Sequence, residues 1–258
     1  MELSQEAAEY VFLRYKGKTP LDVALQEYQD LPDFKINENV FDTIEGADTN
    51  FDDDVHQVMR LATQYHMLEV FKAMKVDMND PNVEEIAAVG NIGTPGRLVK
   101  MWTGSSTNDD RELLSGRWAQ KPRIASFPND AKAKIPITKR VDLTAVCSHH
   151  LAPFSTTFRE EAYAIVSYIP DTKLLGISKL PRMVNWLSQR GWLQEGLTQS
   201  IYEEISKIAE TDSVYVKLSN VVHTCESLRG AKSKEGTFTS EYYGGAYEDP
   251  ELRKSLRE

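Results

Sequence analysis

The chain of 258 residues is 41% hydrophobic and 27% charged, the composition of a soluble globule, which excludes disorder throughout. No apolar run reaches the roughly 18 residues of a membrane span, and the start MELSQEAAEY is acidic where a secretory signal would be basic and then apolar, so a cytoplasmic protein is expected. The net charge of -9 sits at the start, where residues 1–54 hold 14 Asp and Glu against 4 Lys and Arg; the nearly neutral body excludes the basic surface of a nucleic-acid binder.

In chain order, residues 1–54 form an acidic extension with a short helix expected near Ser4–Tyr15, capped by Ser4, and then a segment rich in Asp, Asn and Pro. From Asp54 to about Val76, Val58, Leu61, Ala62, Tyr65, Leu68 and Phe71 recur at helical spacing and predict an amphipathic helix. Gly93-Thr94-Pro95 opens another helix, with Thr94 as N-cap and Pro95 at N1. A polar connection follows to Asp130, closing a helical region over 55–130.

Residues 131–258 read as a separate α+β domain. Ile135, Ile137, Val141, Leu143 and Ala145 alternate into Cys147 as a strand, and Phe154 to Ile169 reads as a second strand ended by Pro170-Asp171. Helices are predicted at 179–190 and 193–210, the second carrying Leu197, Ile201, Ile205 and Ile208 at intervals of three and four. Ser213–Cys225 and Thr237–Tyr243 are rich in Val, Thr and Tyr, which completes a ββααββ order and an antiparallel sheet.

The only two cysteines are Cys147 and Cys225, and in a reducing compartment such a pair more often binds metal or reacts than forms a disulfide. Cys147-Ser148-His149-His150 sets a thiolate and an imidazole three residues apart, and His223-Thr224-Cys225 supplies a second pair whose side chains, on a strand, share a face. Two thiolates and up to three imidazoles suit zinc, and a catalytic zinc needs three ligands and an open position. If Cys147, His150 and Cys225 are the ligands, His149 and His223 remain as acid–base groups, suited by an ordinary pKa of about 6.5. A lone cysteine or histidine is usually a packed or hydrogen-bonded residue, which is how His56 and His66 are read; the clustering argues otherwise for the other three histidines.

Ser178 precedes a helix whose first turn carries Lys179 and Arg182, cations where the helix dipole favours an anion. A bound phosphate would suit them, although solvated surface charge explains the two residues taken alone. Arg229, four residues after Cys225, brings a guanidinium toward the same region or forms a structural ion pair. Glu195, after Gln194, could accept from the N1–H and 2-amino groups of guanine, or be an ordinary acidic residue in a first helical turn.

Five motifs in order, Thr94-Pro95-x-Arg97, Cys147-x-His149-His150, Gly176-x-Ser178-Lys179-x-Pro181-Arg182, Gln194-Glu195 and His223-x-Cys225-x-x-x-Arg229-Gly230, resemble GTP cyclohydrolase I across roughly residues 55 to 245. The resemblance implies the tunnelling fold, in which antiparallel sheets of several subunits join into a barrel with active sites between subunits, typically in a homodecamer. It implies zinc on Cys147, His150 and Cys225, and proton transfer by His149 and His223. It makes Ser178 a catalytic group near the ribose. It assigns Glu195 and Gln194 to the guanine, and Lys179, Arg182, Arg229 and Arg97 to the rest of a guanine nucleoside triphosphate. Formate and 7,8-dihydroneopterin triphosphate are the implied products. Neither nucleic acid nor membrane is an expected partner. Ser148, where the family commonly has Glu, and Gly196, where Arg often follows Gln-Glu, are departures, as is the acidic extension. Two rivals remain: the same-fold 7-deazaguanine nitrile reductase, against which the intact His-x-Cys speaks, and a non-catalytic zinc-stabilised relative with a closed four-ligand site.

Overall fold

The computed structural model describes residues 53–83, 93–104, 113–114, 121–229, 232 and 236–256. The helix expected at Ser4–Tyr15, residues 1–52 of the extension it belongs to and Gly230 lie outside them, as do the side chains of His56, Val58 and Leu61. The chain divides into two compact units, the described residues up to 114 in one and those from 121 in the other.

The first unit holds helices α1 (Asp53–Ala73) and α2 (Thr94–Thr103), which pack together. Ala62 of α1 and Val99 of α2 are fully buried, and the Arg60 guanidinium donates to the carbonyl of Gly104 (3.2 Å). The cap of α2 is Gly93 rather than Thr94. Gly93 takes φ 67°, a conformation that costs glycine little, and thereby turns the chain into the helix. The Thr94 hydroxyl instead accepts from Arg97 (2.8 Å).

The second unit is α+β with antiparallel sheets. Strands β1 (Ser126–Pro128), β2 (Ile137–Val141), β3 (Thr144–Cys147), β4 (Ala152–Ser155), β5 (Tyr163–Tyr168) and β6 (Lys173–Leu175) precede helices α3 (Lys179–Ser188) and α4 (Gln194–Ala209). After them come β7 (Val214–His223), the short helix α5 (Thr224–Leu228), β8 (Phe238–Tyr243), a 3-10 turn at Gly245–Glu248 and α6 (Pro250–Lys254). The main sheet runs β2-β5-β7-β4-β3, with β8 also on β7, and β1 pairs with β6 in a small second sheet.

Each of the two expected long strands before the helices is broken. Between β2 and β3 the Leu143 N–H donates to Thr156 Oγ1 (3.0 Å), and its carbonyl accepts from Ser155 Oγ (2.9 Å) as well as from the Thr156 N–H (3.1 Å). Side-chain bonds there compete with the ladder. The same residues end β4 and start the irregular stretch to Ala162. Ile135, expected to alternate inward, is 63% exposed and precedes β2.

Helices α3 and α4 pack on each other and on the sheet, α4 against β7 and β8. Leu197, Ile201 and Ile205 supply the buried stripe of α4 that their spacing predicts. The C-terminal turn covers β5 and β7 too: Tyr247 is fully buried with Ile165 and Tyr215, and its hydroxyl meets Ser167 Oγ at 2.7 Å. Two-sided cover explains why five of the six β5 residues are buried. No helix among the described residues is long and apolar enough to cross a membrane.

Candidate functional site

Cys147 ends β3, buried, and the chain then turns through Ser148, His149 and His150 to Leu151, whose N–H donates to the Cys147 carbonyl (2.8 Å) at φ 52°. The turn is tied to the segment before α4: Trp192 N–H donates to Val146 O (2.9 Å) and Ser148 N–H to Trp192 O (3.1 Å). Trp192 is itself fixed by its indole N–H on Leu187 O (2.7 Å).

The β3–β4 hairpin then carries register to β7. Cys147 pairs with Ala152, and two residues on Phe154 pairs with His223. Cys225, expected on a strand beside His223, lies instead in the first turn of α5. The strand ends at His223 because Thr224 turns its hydroxyl onto Pro153 O (2.7 Å) and Arg229 N–H closes onto Cys225 O (3.0 Å).

The two cysteines are not joined in a disulfide. Burial first, and the neighbouring Cys147 second, push the Cys225 thiol up. Loss of water around the ring, then His149 and Arg229, hold His150 below the ordinary imidazole value; His149 and His150 have ring centroids 4.1 Å apart. The Cys-His turn, Cys225 and Arg229 therefore share one neighbourhood. Among the described residues no three of His, Cys, Asp and Glu converge closely enough to enclose an ion. The donor types nevertheless suit one: two unbridged thiols, that of Cys225 pushed up partly by the neighbouring Cys147, and an imidazole biased to the neutral form a metal requires.

His223 lies inward. Phe154 stacks on it, and its Nε2 is 2.8 Å from Gln194 Oε1. Burial is the main influence on its pKa and lowers it, while Glu195 and then Glu226 oppose the shift. Gln194 is only 1% exposed and its amide nitrogen donates to Ser240 Oγ (2.9 Å); Glu195, next in sequence, is exposed.

Lys179 and Arg182 belong to a second group. They line a cavity of about 620 Å³ with Pro122, Arg123, Ile124, Ala125 and Ser126. The wall is held by Gly176, whose N–H donates to Ala125 O (3.1 Å) and where an added Cβ would sit 3.2 Å from Lys179 Cγ. Ser178 occupies the cap position of α3 without a side-chain capping bond and is exposed. Arg97 lies on α2 of the first unit, where it donates to Thr94. Arg123 was not among the residues singled out by motif. Its signal in the sequence is the cluster Lys121-Pro122-Arg123 within the polar connection, which gains meaning only once β1 pairs with β6.

Residues 63–258 match the family model described as GTP cyclohydrolase I. Among similar proteins, GTP cyclohydrolase 1 of Vibrio cholerae is 31% identical over 186 residues, covering 71% of this chain and 76% of its own length. GTP cyclohydrolase 1 of Pasteurella multocida is 32% identical over 202 residues, 76% of this chain and 82% of its own. The protein of the same name from Histophilus somni has the same identity and coverage.

Proposed function

Because the chain belongs to the GTP cyclohydrolase I family, we propose that it hydrolytically opens the imidazole ring of GTP, releasing C8 as formate and forming 7,8-dihydroneopterin triphosphate. The observation that carries this reading is the β4–β7 register, which sets a half-buried imidazole, His223, beside the segment that holds Cys225, while the β3–β4 hairpin brings in Cys147, His149 and His150.

Cys147, His150 and Cys225 would hold zinc as two thiolates and a neutral imidazole, the three-ligand set of a catalytic ion. When bound, zinc supplies the Lewis acidity that makes water a nucleophile near neutral pH. His223, kept neutral by burial, is ready to accept a proton, and Glu195 favours the charged form that results. His149, exposed on the turn, is the second proton carrier. The Glu195 carboxylate faces solvent and can accept from the N1–H and 2-amino groups of guanine.

Lys179, Arg182 and Arg123 offer the triphosphate a cationic cavity at the start of α3, where helix N–H groups also favour anions. Ser178, exposed at the cap, would stand near the ribose, and Arg229 would add further positive charge. In this reading the site is completed between subunits of a cytoplasmic homo-oligomer, a decamer by family resemblance, with neither nucleic acid nor membrane as partner.

Replacing His223 by Asn tests the reading. Zinc content should be unchanged while formate release falls by about 100-fold or more; unchanged turnover would remove His223 from the chemistry.

A further inference from the structure

Gln194 sits in a chain of hydrogen bonds whose direction is set at one end by a backbone carbonyl. The Thr198 hydroxyl donates to Gln194 O (2.8 Å), so its oxygen must accept at its 2.7 Å contact with Ser240 Oγ. Ser240 thereby spends its only proton on Thr198 and can only accept from Gln194, which it does from Nε2 at 2.9 Å. The same amide nitrogen faces a second obligate acceptor, the carbonyl of Phe238, at 3.4 Å. Reversing the amide would leave Ser240 and Phe238 both facing an oxygen. Gln194 Oε1 therefore points at His223, and the nitrogen 2.8 Å away, Nε2, must carry the hydrogen.

We propose that Gln194 is a positioning residue: it holds the His223 ring in place and fixes it as the Nε2–H tautomer, with Nδ1 left bare. Its burial and its two engaged amide atoms set it apart from Glu195, which is exposed and able to meet a base. Serine proteases use a carboxylate for the same purpose, holding a catalytic imidazole in one tautomer from behind; here a neutral amide does so, with no second charge. The kinetic part of the inference rests on His223 acting as a proton carrier, whereas the tautomer does not.

The test uses the full chain with 15N-labelled histidine, at a pH above imidazole titration, and long-range 1H–15N correlation spectra with the His223→Asn variant for assignment. His223 should show a protonated Nε2 and a bare Nδ1. Gln194→Leu should give a tautomer mixture, and Gln194→Glu, which keeps an acceptor, should retain the single form. In formate-release assays kcat should fall about 100-fold in Gln194→Leu, with KM for GTP within about 3-fold of wild type, and Gln194→Glu should recover part of the loss. Ser240→Ala, a change on β8 that leaves the residues of α4 themselves intact, should loosen the tautomer preference if Gln194→Leu fails to fold. A protonated Nδ1 in the wild type, or a Gln194→Leu variant with raised KM and unchanged kcat, would overturn the proposal. If the wild type releases no formate, the proposed activity falls and the spectra alone decide the tautomer.

Discussion

The Phe154 ring lies flat on the His223 imidazole, the centroids 4.6 Å apart and the planes 6° from parallel. The contact follows from register, since Phe154 of β4 and His223 of β7 are direct cross-strand partners. Phe154 is fully buried and so screens one face of the imidazole from water. Phe154→Leu removes that flat support while keeping an apolar side chain. Formate release should fall roughly 10-fold, with KM nearly constant, because ring placement rather than binding is lost. A rate equal to wild type would detach Phe154 from the site.

Burial lowers the His223 pKa, so the folded protein resists its protonation. The sign follows: with a folded pKa below the unfolded value, the stability it contributes is present above about pH 6.5 and is lost as pH falls through the folded pKa. Melting temperatures between pH 7.5 and 5 should decline more steeply for wild type than for His223→Asn. Parallel declines would show that this group does not couple folding to pH.

The Lys121 ammonium and the fully buried Glu204 carboxylate form an ion pair at 2.5 Å, and among the described residues neither carboxylate oxygen has a well-angled hydrogen-bond donor. Removing one partner strands the other. Lys121→Met alone should cost about 3–5 kcal/mol in urea unfolding, whereas Lys121→Met with Glu204→Leu should cost less than either single change. Additive losses would show that the charges are not coupled.

Arg123 shares its cavity with Lys179 and Arg182, and loss of one charge-assisted contact to phosphate should be felt in binding. Arg123→Ala should raise KM for GTP roughly 10-fold with little change in kcat. No change in KM would leave the triphosphate to the other cations.

The helices were legible because α4 repeats Leu197, Ile201 and Ile205 on one face and because its burial matches that period. The Cys-His turn was legible from spacing. The strand breaks at Leu143 and after Ser155 were not, because hydroxyls and β-branched residues read as strand until their side chains are seen capturing backbone groups. For the same reason the sequence pattern carries the strand on to Cys225, two residues past its end at His223. The burial of Tyr247 under β5 and β7, and the orientation of Gln194 toward His223, depend on pairings between residues tens of positions apart, 80 for Ser167 and Tyr247 and 29 for Gln194 and His223. No local pattern encodes them.

The most direct measurement is formate release and dihydropterin absorbance when zinc-loaded full-length protein is given GTP, with a chelator-treated control and dGTP alongside. Formate and pterin forming together, lost on chelation and restored by zinc, is the expected result. A folded, zinc-replete protein that releases no formate from either nucleotide would contradict the proposed reaction.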